Sequence, residues 1–470
     1  MENRDYYWVR RFLDDRKSVA SYPFLPLIHR KIKNYKYKLK EDQKKHKTLK
    51  VRDILYASHL DSMIYAYYAC KLQNQYESFI EANNLNDAIC AYRKIKGPDD
   101  KGKCNIHFAK EVFDFIEQKI EKGERVKAIT FDIKGFFDNL DHKLIKDKWK
   151  QLTNVSELPS DSYAVYKNVT QYAYVEETDL FELFKNQIIC QTKSGESVNR
   201  KVKKIKYLRE KNATAFCKRD GIKQIKKKFL IKNNKDKDKG IPQGLPISAI
   251  IANVYMMDFD TKVMSKLSKV GGVYKRYSDD IIVVCPDENG DEIKKWIVDE
   301  IKKEKLEIEE SKTNMFTFFK NEEGKKVCID ENNLHNRILE YLGFSFDGEK
   351  ILLKNASIGK FYNKMTKCVH RGGFYACHTN NVILKGVIFE SKLIKKFSYA
   401  GAKIHVLRKR SAKDHSKFVI CHNGKSKQHR WGNYLTYVRK SSLIMEKEDI
   451  KKQLRRHTSK LKRLIKSIIN

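Results

Sequence analysis

Two adjacent acids, Asp279 and Asp280, stand in the polar tetrapeptide Tyr277-Ser278-Asp279-Asp280. It lies between Tyr274-Lys275-Arg276 and the apolar run Ile281-Ile282-Val283-Val284. Runs of this kind read as β-strands, so the pair sits on a tight turn between them. Adjacent carboxylates repel by about 4 kcal/mol at about 4 Å when the effective dielectric is near 20, and buried flanking strands deny them solvent screening. A divalent cation removes that cost. A second apolar run, Ala128-Ile129-Thr130-Phe131, ends on Asp132 and continues as Ile133-Lys134-Gly135-Phe136-Phe137-Asp138. Asp132 and Asp279 are 147 positions apart (279 − 132), so they meet only if their strands share a sheet. Mg2+ favours carboxylates, waters and phosphates. Two such ions, about 3.5 to 4 Å apart, clamp the attacking and leaving oxygens of phosphoryl transfer. Taken singly, each acid has an ordinary alternative: Asp-Asp pairs are common in turns, and an Asp after a strand often caps the next helix.

A third segment lies between the two acids: Gly240-Ile241-Pro242-Gln243-Gly244-Leu245-Pro246-Ile247-Ser248-Ala249-Ile250-Ile251-Ala252-Asn253, a Pro/Gly turn running into an apolar helix. In order, Phe131-Asp132 to Phe137, Pro242-Gln243-Gly244 to Ser248, and Tyr277-Ser278-Asp279-Asp280 resemble the palm motifs of reverse transcriptases. Leu306-Glu307-Ile308-Glu309-Glu310-Ser311-Lys312-Thr313 is similar to the next palm motif with its Lys, and Tyr341-Leu342-Gly343-Phe344-Ser345-Phe346 to the primer-grip hairpin. Ala91-Tyr92-Arg93-Lys94 through Lys101-Gly102-Lys103 is similar to the fingers motif. Ser278 replaces the Ala that many bacterial members carry, and Asp132 to Asp138 with Asp141-His142 is of the group II intron and retron style.

The resemblance implies an α+β right-hand polymerase with fingers, an antiparallel-sheet palm and a mainly helical thumb. Residues 1–125 would form the N-terminal region and fingers, 126–145 the first palm strand, 146–239 a return to the fingers with a basic insertion, 240–350 the remaining palm, and 351–470 the thumb. It implies an RNA-directed DNA polymerase using two Mg2+ ions, with Mn2+ as a substitute. Asp132 and Asp279 would bind both metals, helped by Asp280 and the Ile133 carbonyl. Phe137 would be the steric gate against a ribose 2'-hydroxyl, and Gln243 and Gly244 would border the incoming dNTP. Arg93 with Lys94 or Lys96 would meet the triphosphate, where guanidinium and ammonium groups suit phosphate charge. Lys312 would act as general acid toward pyrophosphate, its alternative being an exposed ion pair. Leu342, Gly343 and Phe344 would form the primer grip. The Tyr-rich stretch Ile54 to Tyr92 and the lack of an endonuclease resemble stand-alone bacterial enzymes of phage defence. A retron-type enzyme or a group II intron protein is the alternative. Expected partners are an RNA template, a structured non-coding RNA among the candidates, dNTPs and the DNA product.

Charge and compartment are consistent with that expectation. Lys and Arg number 97 against 59 Asp and Glu, a formal charge of +38, which argues for a polyanionic partner through counterion release. Ten cysteines without a paired framework fit a reducing cytoplasm. Met1-Glu2-Asn3-Arg4-Asp5-Tyr6-Tyr7-Trp8 does not read as a signal peptide, and no stretch reaches the roughly 18 apolar residues of a membrane span.

Elsewhere, the Lys-rich stretch from Arg30 to Lys50 reads as a solvated helix face or loop with nucleic-acid contacts as the competing reading. Ile54 to Glu81 reads as an amphipathic helix, its Tyr65, Tyr67 and Tyr68 serving as core. Lys193 to Lys239 reads as a basic insertion or β-hairpin excursion, the alternative being a disordered loop. Ile450, Leu454, Leu461, Leu464, Ile465 and Ile468 approximate one helical stripe, suited to a hybrid duplex or to oligomerisation. Cys368, His370, Cys377, His378, Cys421, His422 and His429 show no zinc spacing and read as core thiols and surface imidazoles.

Overall fold

A computed structural model describes residues 6–39, 45–97, 102–192, 194–234, 236–330, 338–399, 403–404, 408–411, 418–420 and 430–469. The chain divides into two compact units, each assembled from three stretches. The first holds Met1–Tyr92, Asp132–Val263 and Trp296–Glu309; the second holds Arg93–Phe131, Met264–Lys295 and Glu310–Asn470. The principal strands are β1 (Leu27–Leu39), β2 (Lys45–Tyr56), β3 (Val126–Asp132), β4 (Ala173–Glu176), β5 (Val273–Tyr277), β6 (Asp280–Pro286), β7 (Asn314–Lys320), β8 (Lys326–Asp330), β9 (Leu339–Tyr341), β10 (Phe344–Phe346) and β11 (Ile351–Leu353). The principal helices are α1 (His59–Ala82), α2 (Asn105–Glu121), α3 (His142–Thr153), α4 (Ser248–Tyr255), α5 (Gly290–Lys303), α6 (Asn355–His378), α7 (Tyr434–Met445) and α8 (His457–Ile469). The architecture is mixed α+β with antiparallel sheets.

A five-stranded sheet in the order β8-β7-β3-β6-β5 forms the framework of the second unit. Ile281 to Cys285 of β6 are all buried, as expected for an inner strand covered on both faces and written as a continuous apolar run. The β7–β3 pair is antiparallel, Asn314 opposite Thr130 and Phe318 opposite Val126, and β5–β6 is an antiparallel hairpin. Just past the end of β6, the Asp287 N–H donates to the carbonyl of Arg125, which precedes β3 (3.1 Å). Lys127 of β3 pairs with Asp287 (3.5 Å) and with Asp291 of α5 (2.6 Å). The end of β6 therefore meets the start of β3, and these two neighbouring strands run antiparallel. On α2, Ile106, Ala109, Phe113, Ile116 and Ile120 recur at helical spacing and pack with Ile282, Val284, Phe316 and Phe318 of the sheet.

In the first unit the described residues of the Lys-rich N-terminal region are strand rather than helix face or loop. β1 and β2 form a long antiparallel ribbon, from Ile28 opposite Tyr56 to Leu39 opposite Lys45. Leu27 to His29 pair in addition with β4. The strand signal was the alternation Tyr35-Lys36-Tyr37-Lys38-Leu39, overshadowed by the density of Lys. Ile54 to Tyr56 accordingly end β2, and α1 starts at His59 under a cap in which Ser58 Oγ accepts from the Asp61 N–H (3.4 Å). Tyr65 and Tyr68 are buried, with the Tyr68 hydroxyl on Asp161 (2.6 Å), as core residues should be. Within 193–239, the disordered-loop alternative is not what the chain adopts. Ile188–Gln191, Ser197–Arg200 and Ala213–Ala215 form a small sheet, and Ile188, Val202 and Ile225 share a core with Leu180 and Phe184.

The C-terminal stripe is divided. Ile450 and Leu454 join the core containing α2, whereas Leu461 and Ile465 of α8 pack on Met365 and Val369 of α6. Asp449–Lys452 is a separate turn of helix. Cys368, His370, Cys377 and His378 lie on α6, while Cys421, His422 and His429 fall outside the described residues, as do Lys40, Lys44 and Lys101. Among the described residues no helix is long and apolar enough to cross a membrane.

Candidate active site

Asp280 pairs with Tyr277 across the β5–β6 hairpin, which leaves Ser278 and Asp279 as a two-residue loop. Ser278 has φ +64°, the left-handed conformation such a hairpin needs at its first central position. A small side chain there limits a cost on the order of 1 kcal/mol. The wholly buried Arg276 donates from Nη1 to the Ser278 carbonyl (3.4 Å). Asp279 is half-buried and Asp280 exposed.

β3 closes on Asp132. Asn314 of β7 lies opposite Thr130, so Lys312, two residues earlier, leaves the sheet at that same end. Lys312 is exposed, and its carbonyl accepts from Asn314 Nδ2 (2.8 Å). Beyond β3, the Glu309 N–H donates to Asp132 O (2.8 Å) and the Lys134 N–H to Glu307 O (2.9 Å), flanking the bridge Ile133–Ile308. This pattern leaves the N–H and C=O of Ile133 outside that ladder, so its carbonyl is not committed there. Among the described residues no cluster of three or more His, Cys, Asp or Glu side chains could cage a metal. Mg2+ does not require one: it is held by one or two carboxylates with substrate phosphates and waters, a donor set that Asp132, Asp279, Asp280 and the Ile133 carbonyl match in chemistry.

The first unit joins the steric-gate candidate to the Gln243 turn. Gly135, at φ +54°, turns the chain into the short helix Phe136–Asn139, and half-buried Phe137 stands edge-on to Phe136 (5.6 Å between centroids). The Ile241 N–H donates to Phe137 O and the Gly240 N–H to Leu140 O, both 2.9 Å. The turn is also stitched to β2, since the Leu55 N–H donates to Gln243 O (2.9 Å). Gly244 has φ +125°, and a Cβ there would lie 2.6 Å from Leu55 O; the glycine permits this close approach of two backbones. Gln243 itself is exposed.

Sequence reasoning overlooked Arg52. Ile54 is the side chain that would meet a Cβ at Gly244 (3.0 Å), and exposed Arg52 shares its face of β2 two residues away. Once the Arg52-Asp53-Ile54 alternation is recognised as strand, Arg52 is a cation on the face of β2 whose Ile54 approaches the Gln243 turn. Arg93, Lys94 and Lys96 lie instead on the second unit's loop ahead of α2, closed by the Lys96–Gly102 bridge and the bond from the Lys103 N–H to Ile95 O (2.7 Å). Near Phe137, desolvation and the Asp53 carboxylate push the Asp138 carboxyl up. Burial, together with Asp138, pushes the Tyr172 hydroxyl up to about 12.

The primer-grip segment forms the tight β9–β10 hairpin, with Leu342 at φ +45° and Gly343 at φ +94°, both central residues left-handed as a type I′ turn requires. Asn105 Nδ2 donates to Leu342 O and the Lys354 N–H to Gly343 O, both 3.0 Å. Phe344 is wholly buried in the core. Its side chain therefore anchors the hairpin, while Leu342 and Gly343 are half-buried at the turn, Leu342 packing against the same core.

Residues 200–346 match the family model described as "Reverse transcriptase (RNA-dependent DNA polymerase)". That range includes Gln243, Asp279, Asp280, Lys312 and Phe344 but stops short of Asp132 and Phe137. No curated protein matches the chain. Among solved structures, apo telomerase from Candida tropicalis truncated from its C-terminal domain is 12% identical with a TM-score of 0.36, covering 75% of this chain and 62% of that one. Telomerase from Candida albicans in complex with a TWJ fragment of telomeric RNA is 12% identical with a TM-score of 0.39, covering 83% and 57%. The chain thus spans about three fifths of the telomerase chains, and likeness at this level carries no functional argument. Residues 200–346 of this chain are thus similar to a reverse transcriptase domain, and the hairpin that bears Asp279 and Asp280 lies within that stretch.

Proposed function

We propose that the protein synthesises cDNA from dNTPs on an RNA template by two-metal phosphoryl transfer. The observation that supports this reading is that β3 and β6 are neighbours in one sheet, with Asp279 and Asp280 on the hairpin that opens β6. Asp132 and Asp279, assisted by Asp280 and the Ile133 carbonyl, would hold divalent cations, Mg2+ or Mn2+. When bound, these ions neutralise charge on the attacking and leaving oxygens. Phe137 would exclude a 2'-hydroxyl, and Gln243 would border the nucleotide. Arg52, with Arg93, Lys94 and Lys96, would neutralise the triphosphate. Lys312 would supply a proton to the departing pyrophosphate, and the Leu342-Gly343 turn would steady the primer end.

The template in this reading is a structured non-coding RNA, and the setting is the bacterial cytoplasm, in antiphage defence. The alternative is a retron-type enzyme making RNA-linked DNA, or a group II intron derivative. The formal charge of +38 supports stable engagement of a long RNA. Purified protein supplied with Mg2+, dNTPs and an RNA template should make DNA. Sequencing the nucleic acid that co-purifies should return one structured RNA with complementary DNA. A DNA product covalently joined to RNA would favour the retron alternative, and absence of any DNA product would remove the polymerase reading.

A further inference from the structure

The basic insertion of the first unit carries a phenylalanine that the fold does not use. Phe229 follows the short helix Ile222–Lys227 and is 93% exposed. The Leu230 N–H donates to Ile225 O (3.3 Å) and the Phe229 N–H to Lys226 O (3.0 Å), the paired bonds that close a helix on a left-handed residue. That residue is Phe229, at φ +53°. Glycine is the usual occupant, because a side chain on left-handed backbone crowds the following carbonyl oxygen. Phe229 thus combines an unfavourable backbone with an apolar ring in water. The turn beneath it is firmly seated, since Ile225 is buried and Leu230 and Ile231 pack on the same core as Leu180 and Phe184. The ring is therefore held outward from a fixed base. A lone exposed apolar side chain is ordinary on a protein surface; one on strained backbone amid cations marks a functional position.

The surroundings select what such a ring meets. Lys223, Lys226, Lys227 and Lys228 are all exposed, and no Asp or Glu occurs in the sequence from Gly221 to Lys235. Such a surface repels a second copy of a chain carrying +38 and attracts a polyanion. An unpaired nucleic-acid strand offers flat bases to the ring and phosphates to the lysines, the combination on which single-strand binding is built. A duplex keeps its bases stacked inside. One ring buries too little apolar area to hold a membrane surface.

We propose that Phe229 is a stacking platform for an unpaired nucleobase, with Lys226, Lys227 and Lys228 against the flanking phosphates. Stacking accepts any base, so the contact is independent of sequence. The strand is RNA or DNA, because both present a base face and phosphates. The inference concerns binding alone and goes beyond the polymerase reading, depending on neither metal nor incorporation.

The test uses the full chain in EDTA, with fluorescence anisotropy of labelled single-stranded RNA, single-stranded DNA and blunt duplex. Phe229→Gly should bind the single strands about tenfold more weakly, within the range for one lost base–aromatic stack. Its Tm should equal or exceed the parent's, because glycine relieves the left-handed backbone. Replacing Lys226, Lys227 and Lys228 with Ser should reduce the slope of log affinity against log salt by about 2, whereas Phe229→Gly should leave that slope unchanged. Phe229→Trp should keep the affinity, and its added emission should be quenched by the strand, a signal local to this turn. Loss in the RNA arm alone assigns the ring to RNA, loss in the DNA arm alone assigns it to DNA, and equal loss assigns it to either strand. Unchanged affinity of Phe229→Gly for both strands, a Tm well below the parent's, an equal loss on blunt duplex, or an unaltered slope after the lysine replacement overturns the proposal. So does Phe229→Trp emission that responds to phosphatidylserine vesicles but to neither strand, which would make the turn a membrane contact.

Discussion

Asp279 and Asp280 are neighbours in sequence but not in circumstance: one is half-buried on a strained turn, the other exposed at the start of β6. Asp279→Asn should therefore lower dNTP incorporation by about 10^3-fold, the scale of losing a principal electrostatic group, while Asp280→Asn costs less and both keep the parent Tm. Phe137→Ala should admit ribonucleotides in the same primer-extension assay. Both acids were legible because polar residues interrupt apolar runs. Gly244 was legible as a place of close approach, but the partner revealed by the structure is the Leu55 carbonyl of β2, which no local pattern announces. Gly244→Ala meets backbone rather than a yielding side chain. It should destabilise the fold by about 1 to 3 kcal/mol, seen as a lower Tm, and depress incorporation through displacement of Gln243.

At the scale of elements, the basic ribbon offers a quantitative check. Lys31, Lys33 and Lys50 are exposed on it. If all three neutralise phosphates, replacing them with Ser should reduce the slope of log affinity against log salt by about 2 for single-stranded RNA, measured by fluorescence anisotropy. A second check concerns α2 and β5. Burial alone would raise the Glu111 carboxyl, yet hydrogen bonds from Lys103 (2.7 Å) and Lys275 overcome it and hold it below its ordinary value of 4.5. A folded-state pKa below the unfolded one contributes stability that is present above 4.5 and lost as pH falls through the depressed value. Glu111→Gln should thus flatten the acid side of the Tm-against-pH curve. The palm-like strands were readable because buried inner strands are written as uninterrupted apolar runs. The ribbon was not, because Lys at nearly every second position masks the period of two. The break between Ile450 and Leu461 was hidden because both segments keep helical spacing while packing on different partners, α2 and α6.

For the whole molecule, each unit is assembled from three separated stretches, which local patterns could not foretell because the pairing of β3 with β6 and β7 spans more than a hundred residues. The stretch that matches the family model, 200–346, contains β5, β6, β7 and β8 but omits β3, the strand between β6 and β7. Expressed alone, it would leave two long unsatisfied strand edges and half an apolar core uncovered, conditions that favour aggregation. Light scattering should show such a fragment associating where the full chain stays dispersed. The most recognisable portion of this protein is thus an arch without its keystone, and the missing stone is supplied by a strand encoded well upstream.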